Sequence, residues 1–175
     1  MLLALLALAT SSAPTEIDME AQFRSGKWLC SEPDIATKTC DNIDRLDVAP
    51  DGRLINTGEK LIAPTQEITM TVTSTAHFEN GALCGSVEQA DLEKAIVRVK
   101  GQALPADRNA IVLQKLVSMF KPMFGLKVCE GLRLNEGNLV KFGQMQGSAM
   151  PLGQNVHWIS PEEGYRVAPA SNPAH

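Results

Sequence analysis

The stretch IDRLDVAPDGRLINT, residues 43–57, carries the pattern on which the predicted fold depends. Pro50-Asp51-Gly52 separates two short segments rich in aliphatic residues, 43–48 and 53–57. An Asp-Gly turn between two such segments is typical of a β-hairpin, because glycine accepts the positive φ that a tight turn needs. The stretch therefore predicts two antiparallel strands.

Further segments downstream also have strand character. Residues 68–75 alternate apolar side chains with threonine, and Glu79-Asn80-Gly81 provides a turn before Leu83-Cys84. Residues 91–100 are ambiguous, because their first half could begin a helix, but the core at 96–99 followed by Gly101 favours a strand. The remaining predicted strands are 126–134, 139–145, 156–159 and 165–167.

One long helix is predicted between these strands. Pro105 suits a first helical turn, and Asp107 places a negative charge near the positive end of the helix dipole. Apolar residues then recur at helical spacing up to Phe120, and Pro122 with Gly125 should end the helix. We therefore expect an α+β domain in which an antiparallel, curved β-sheet packs on one main α-helix at about 105–120.

Cysteine usage predicts a fold stapled by disulfides. The four cysteines, Cys30, Cys40, Cys84 and Cys129, allow three pairings, and none lies in C-x-x-C spacing. In an oxidising compartment we favour Cys30 with Cys40 and Cys84 with Cys129. By a chain-entropy estimate these loops would contribute about 3 and about 4 kcal/mol to stability. An even number of cysteines that is consumed by bridges leaves no thiol for catalysis.

The first residues resemble an export signal. Residues 1–9 are an unbroken apolar run, and no charged side chain occurs before Glu16. Because a membrane-spanning helix needs about 20 apolar residues, this run is too short to predict a membrane span. We interpret residues 1–13 as a signal peptide cleaved after Ala9 or Ala13. A buried N-terminal strand or helix is the alternative, since no basic side chain lies near Met1.

The rest of the chain is predicted to form one exported domain, 14–168, with a flexible tail, 169–175. Net charge −4 and a pI of about 5.4 argue against binding to nucleic acid. No nucleotide-binding glycine motif and no G-x-S-x-G elbow occurs, and the histidines are too scattered for a metal signature. We expect no metal, no cofactor and no catalytic residue. The acidic cluster Asp41, Asp44, Asp47 and Asp51 is interpreted as a solvated face rather than a cation site.

Apolar residues around the end of the predicted helix are the best candidates for a binding site. Flexible thioethers beside aromatic rings suit an adaptable apolar groove, although the same side chains would also suit the domain's own core. The candidate ligand-binding residues are Met119, Phe120, Met123, Phe124 and Met145.

The C-terminal half contains Trp158-Ile159-Ser160-Pro161 and Gly164-Tyr165-Arg166-Val167-Ala168-Pro169, with Leu83-Cys84-Gly85 and Val128-Cys129-Glu130 upstream. In these motifs it resembles small exported bacterial proteins of uncharacterised function, especially from alphaproteobacteria. This resemblance implies export and cysteine pairing, and no activity follows from it.

Two functions remain as hypotheses. The first is a non-catalytic, periplasmic or extracellular binding module whose partner is an apolar small molecule or an envelope protein. It predicts a Met and Phe patch or cavity around the end of the helix. The second is a small hydrolase with a site of dispersed carboxylates and a histidine, which predicts His77 or His157 beside an acid inside a cleft. The sequence favours the first.

Overall fold

The computed structural model describes residues 17–146, 148–149 and 153–170. The predicted signal peptide with both cleavage points, and residues 171–175 of the predicted tail, lie outside the described residues. Within these ranges there are three α-helices: α1 (Met19–Arg24), α2 (Gln89–Glu93) and α3 (Ala106–Phe120). Single 3-10 turns occur at Pro64–Gln66, Lys121–Met123 and Pro161–Glu163.

Strands are the main secondary structure of the described chain. In chain order they are β1 (Trp28–Ser31), β2 (Thr39–Cys40), β3 (Asn42–Val48), β4 (Leu54–Ala63), β5 (Ile68–Glu79), β6 (Ala82–Ser86), β7 (Ile96–Val99), β8 (Gln102–Ala103), β9 (Lys127–Asn135), β10 (Asn138–Met145), β11 (Ser148–Ala149), β12 (Gln154–Ile159) and β13 (Arg166–Val167).

Eight of these strands close into an antiparallel β-barrel. Around the ring the order is β1, β3, β4, β5, β6, β9, β10 and β12, and β12 pairs with β1 to complete it. Neighbours in the ring are therefore also consecutive ring strands along the chain. The predicted α+β fold, a sheet packed on one main helix, is wrong, because this sheet buries its inner face by curving onto itself rather than against a helix.

The hairpin predicted at residues 43–57 forms the β3–β4 pair of the ring. Val48 pairs with Leu54 and Asn42 with Lys60, and Gly52 has φ +84° in the turn between the strands. The next strand, β5, is long enough to pair with β4 along most of its length while its start pairs with β7 and its end with β6. The β5–β7 pair therefore extends the wall beyond the ring at one end.

Part of the barrel interior is a packed apolar core. Helix α1 contributes Met19 and Phe23, and the Phe23 ring meets Trp158 edge to face at a centroid distance of 5.0 Å. The other buried members of this cluster come from four ring strands: Leu29, Leu83, Leu139 and Val156. We call this cluster, with Met19, Phe23 and Trp158, the packed core.

Helix α3 lies where the sequence placed a helix, but it has a smaller role than predicted. Leu113 is its one buried side chain, and it belongs to a cluster with Met70 of β5, Leu92 of α2, Ala95 between α2 and β7, and Val97 of β7. Asn109 fixes the helix to this edge, because its side chain accepts a hydrogen bond from Val97 N at 2.9 Å and donates one to Ala95 O at 3.0 Å. The helix thus covers one end of the barrel wall.

Both favoured disulfide pairings are confirmed. Cys30 is bonded to Cys40, and Cys84 is bonded to Cys129, so all four cysteines are consumed. Cys84 and Cys129 face each other on the paired strands β6 and β9. Two structural disulfides indicate an oxidising, exported environment. Among the described residues, no helix combines the length and apolar character needed to cross a membrane.

Candidate ligand cavity in the barrel

The part of the barrel interior that the packed core leaves open is a cavity of about 340 Å³. It lies between the ring strands and the α2–α3 end, and its lining includes Ser86 and Glu88, which are exposed. The cavity therefore reaches the surface beside α2. Its volume is at the lower end of the range of about 300–1,000 Å³ that small-molecule sites occupy.

Apolar side chains form most of the cavity wall. Strand β5 contributes Met70 and Val72, β9 contributes Val128, and the segment after α3 contributes Met123. Met70 and Val72 both reach the lumen because alternate residues of a strand point to the same face. The wall thus offers a flexible apolar surface inside a rigid ring.

The structure brings three of the five predicted ligand-binding residues to this cavity. Phe120, Met123 and Met145 line it. Phe124 is partly buried and packs against the cluster around Leu113. Met119 points away from the cavity and is 72% exposed.

The opposite part of the cavity is polar, and the carboxylates that line it bind a buried lysine. Lys141 Nζ lies 3.1 Å from Asp44 Oδ2 and 3.3 Å from Glu130 Oε2. Asn42 Nδ2 donates a second hydrogen bond, at 2.7 Å, to Asp44 Oδ2. Lys141 and Asp44 are only 6% and 7% exposed, whereas the Glu130 side chain is 40% exposed. We call Asp44, Lys141 and Glu130 the lumen triad.

Local sequence explains why the triad points inward. In β3, Asn42 and Asp44 share the inner face with Leu46, since they are two residues apart. Gly58 lies opposite Asp44 on β4, and a Cβ added there would be 3.0 Å from Asp44 Oδ1. The missing side chain at Gly58 leaves the space that the carboxylate occupies.

The triad determines the charge state of its lysine. Burial disfavours the ammonium form, but the carboxylates of Asp44 and Glu130 more than offset this effect and raise the pKa of Lys141 above its ordinary value of 10.5. Lys141 is therefore charged at neutral pH. Removing ions from water is costly, so such an arrangement contributes little net stability and is weak evidence for a structural role.

The cavity lining carries hydrogen-bond acceptors and negative charge. Asp44 and Glu130 line it at the polar end, and Glu88 and Asp91 line it near the surface. Asn56 also lines the cavity, and its Oδ1 is buried with no hydrogen-bond partner among the described residues. None of the described lining residues is lysine, arginine or histidine, because Lys141 lies behind the carboxylates that bind it.

The two histidines proposed for a hydrolase lie elsewhere. His77 Nε2 is 3.4 Å from Glu79 Oε2, but its side chain is 59% exposed on the outer face, and His157 is also exposed. Potential ligand atoms of His77, Glu79 and Cys84 lie within 4.8 Å of one another. The Cys84 sulfur is committed to a disulfide, however, and Glu79 accepts a hydrogen bond from Lys127. Neither histidine lines the cavity.

Sequence patterns did not identify the lumen triad. Asp44 was interpreted as part of a solvated acidic face, which is wrong, because Asp44 is buried inside the ring. One signal was available: Lys141 is the single charged residue of the predicted strand 139–145, and a lone lysine in such a segment often has a buried partner. Comparison of the chain with protein-family models, curated proteins and solved structures found no match.

Proposed function

We propose that this protein binds one small, largely apolar molecule inside its barrel and carries out no catalysis there. The observation that carries the proposal is the cavity of about 340 Å³ walled by Met70, Val72, Phe120, Met123 and Val128. A ring of about eight strands is wide enough either to be filled by its own side chains or to hold one small ligand. Here the packed core fills only part of the interior.

The concave shape favours a small molecule over an envelope protein as the partner. A protein partner would need an exposed apolar patch, whereas these apolar side chains face into the ring. Met119, the most exposed of the candidate residues at 72%, points away from the cavity. The proposed ligand therefore enters beside α2, where the lining becomes exposed.

The proposed location is the periplasm or the extracellular space. The two disulfides are compatible with both, and the resemblance of the C-terminal half to small exported alphaproteobacterial proteins points the same way. A binding module in these compartments would carry or sequester an apolar molecule that water dissolves poorly.

Filling the cavity tests the proposal. The oxidised protein is titrated with N-phenyl-1-naphthylamine, a neutral apolar probe whose fluorescence rises when it leaves water. We expect saturable binding to the wild-type protein. Val72→Phe and Val128→Phe place extra volume in the lumen and should each weaken binding at least tenfold, since two different strands block the same space.

Val48→Phe is the matched control, because Val48 is 60% exposed and does not line the cavity. It should bind the probe like the wild-type protein. Thermal unfolding of each variant shows that the ring is intact. Absence of saturable binding by the wild-type protein, or equal binding by folded variants with a filled lumen, would exclude the proposed function.

A further inference from the structure

We propose that the preferred ligand carries a positively charged amine, which binds at the polar end of the cavity while its apolar body lies against the methionine and valine wall. This inference depends on the proposed function and adds the chemical class of the ligand. Its basis is the charge of the lining and the arrangement of the lumen triad.

The charges on the lining all have one sign. Asp44 and Glu130 at the polar end and Glu88 and Asp91 near the surface are carboxylates, and the described lining has no cationic side chain. Low-dielectric walls lined by one sign of charge focus the field into a cleft. The lumen therefore attracts cations and repels anions.

Lys141 does not reverse this preference. Its ammonium group is bound between Asp44 Oδ2 and Glu130 Oε2 at 3.1 and 3.3 Å, so its charge is already compensated. Lys141 is not among the lining residues, so an anionic head group would meet the carboxylates of Asp44 and Glu130 rather than this ammonium. Two acids around one base leave a local excess of one negative charge.

The lining also carries hydrogen-bond acceptor atoms that are available to a ligand. Asn56 Oδ1 is buried on the lining and has no hydrogen-bond partner in the described part of the chain, and a buried acceptor without a donor is costly. The Glu130 side chain is 40% exposed, which leaves part of its carboxylate free to accept from a ligand. An ammonium group has donors alone and suits a lining with such acceptors.

The experiment compares ligands of one chain length that differ in their head group. Decylamine, decanol and decanoate displace N-phenyl-1-naphthylamine from the oxidised protein at pH 7, where the amine is protonated and the acid is ionised. We expect decylamine to bind at least tenfold more tightly than decanoate, with decanol between them. The difference should shrink as salt concentration rises, because screening weakens the attraction.

Glu88→Gln tests the charge of the lining without touching the triad. It should weaken decylamine binding about threefold and leave decanol unchanged. Glu136→Gln is the matched control, because Glu136 is an exposed residue of the β9–β10 turn. Val72→Phe controls for adhesion of the amine to the acidic outer surface, since such adhesion would survive a filled lumen.

The outcomes separate the two proposals. If the neutral probe binds but decanoate displaces it as well as decylamine does, the amine preference is wrong while the proposed function stands. The same conclusion follows if Glu88→Gln and Glu136→Gln behave alike. If the probe itself fails to bind, the proposed function is wrong and this inference is lost with it.

Discussion

The barrel interior has two regions that differ in what they bury: one contains closely packed apolar side chains, and the other contains buried charges beside a cavity. In the packed core, Phe23 and Trp158 meet edge to face and strands from around the ring fill the space with apolar side chains. In the open region, Lys141 is held between Asp44 and Glu130 beside an unfilled cavity. One chain thus builds a dense interior and an open interior within the same ring.

The difference shows which region maintains the fold. Burial of apolar area contributes about 25 cal/mol per Å², so the packed core supplies net stability. A buried ion pair contributes little net stability, because desolvating its charges is costly. The side chains around an empty volume also lose packing contacts. The open region therefore contributes less to the stability of the fold than the packed core does. For this reason we assign the function to the open region.

Truncation in the packed core should have the largest effect. Trp158→Ala removes a buried ring that contacts Phe23, and we expect a loss of about 4 kcal/mol in the free energy of unfolding. Urea denaturation followed by circular dichroism measures this loss. Trp28→Ala on the outer face is the control and should cost less, since Trp28 is only partly buried. Equal losses would show that the two tryptophans do not divide between core and surface as described.

Breaking the lumen triad should have the next largest effect. Lys141→Met leaves the Asp44 carboxylate buried without its cation, and we expect a loss of about 3 kcal/mol. Adding Asp44→Asn to the same chain should recover much of this loss, because the uncompensated charge is then gone. Denaturant unfolding of the single and double variants checks both expectations. A double variant less stable than the single one would contradict this account of the triad.

The contributions of the two regions to stability should also differ in their response to alkaline pH. Because the pKa of Lys141 is higher in the folded chain than in the unfolded chain, its contribution is complete below about pH 10.5 and is lost as pH rises through the folded value. We expect the stability gap between the wild-type protein and Lys141→Met to narrow above that pH. Trp158→Ala has no such group and should keep a constant gap from pH 8 to 11.

The smallest effect on stability should come from the cavity wall. Met123→Ala removes a partly buried side chain, so it should cost at most about 1 kcal/mol of stability while weakening probe binding several-fold. Met119→Ala is a matched control, because Met119 has the same side chain but is 72% exposed outside the lining. Equal probe affinity in the two variants would place the ligand elsewhere.

Local elements were predictable because their signals are local. The Asp51-Gly52 turn identified the β3–β4 hairpin, and Pro105 with helical spacing identified α3. The residues 91–100 contain both of the structures considered, since α2 ends at Glu93 and β7 runs over Ile96–Val99. Short-range turn and cap signals were enough to predict the β3–β4 hairpin and α3, whereas residues 91–100 remained ambiguous.

Ring closure was not predictable, because it depends on contacts between distant residues. Trp28 pairs with Ile159, and the four residues of β1 are too few to show a period. The same limit applies to the candidate site. Phe120, Met123 and Met145 were chosen for their chemistry, but only the ring shows that Asp44 and Lys141, far apart along the chain, share the lumen with them.

The pairing of β1 with β12 also has a consequence for how the chain folds. The tight hairpins of the ring, such as β3–β4 and β9–β10, join strands that are adjacent along the chain and can form early. The β1–β12 seam must bring together residues separated by most of the domain, so it carries the largest loop-closure entropy. We therefore expect the β1–β12 pairing to be among the last contacts of the ring to form.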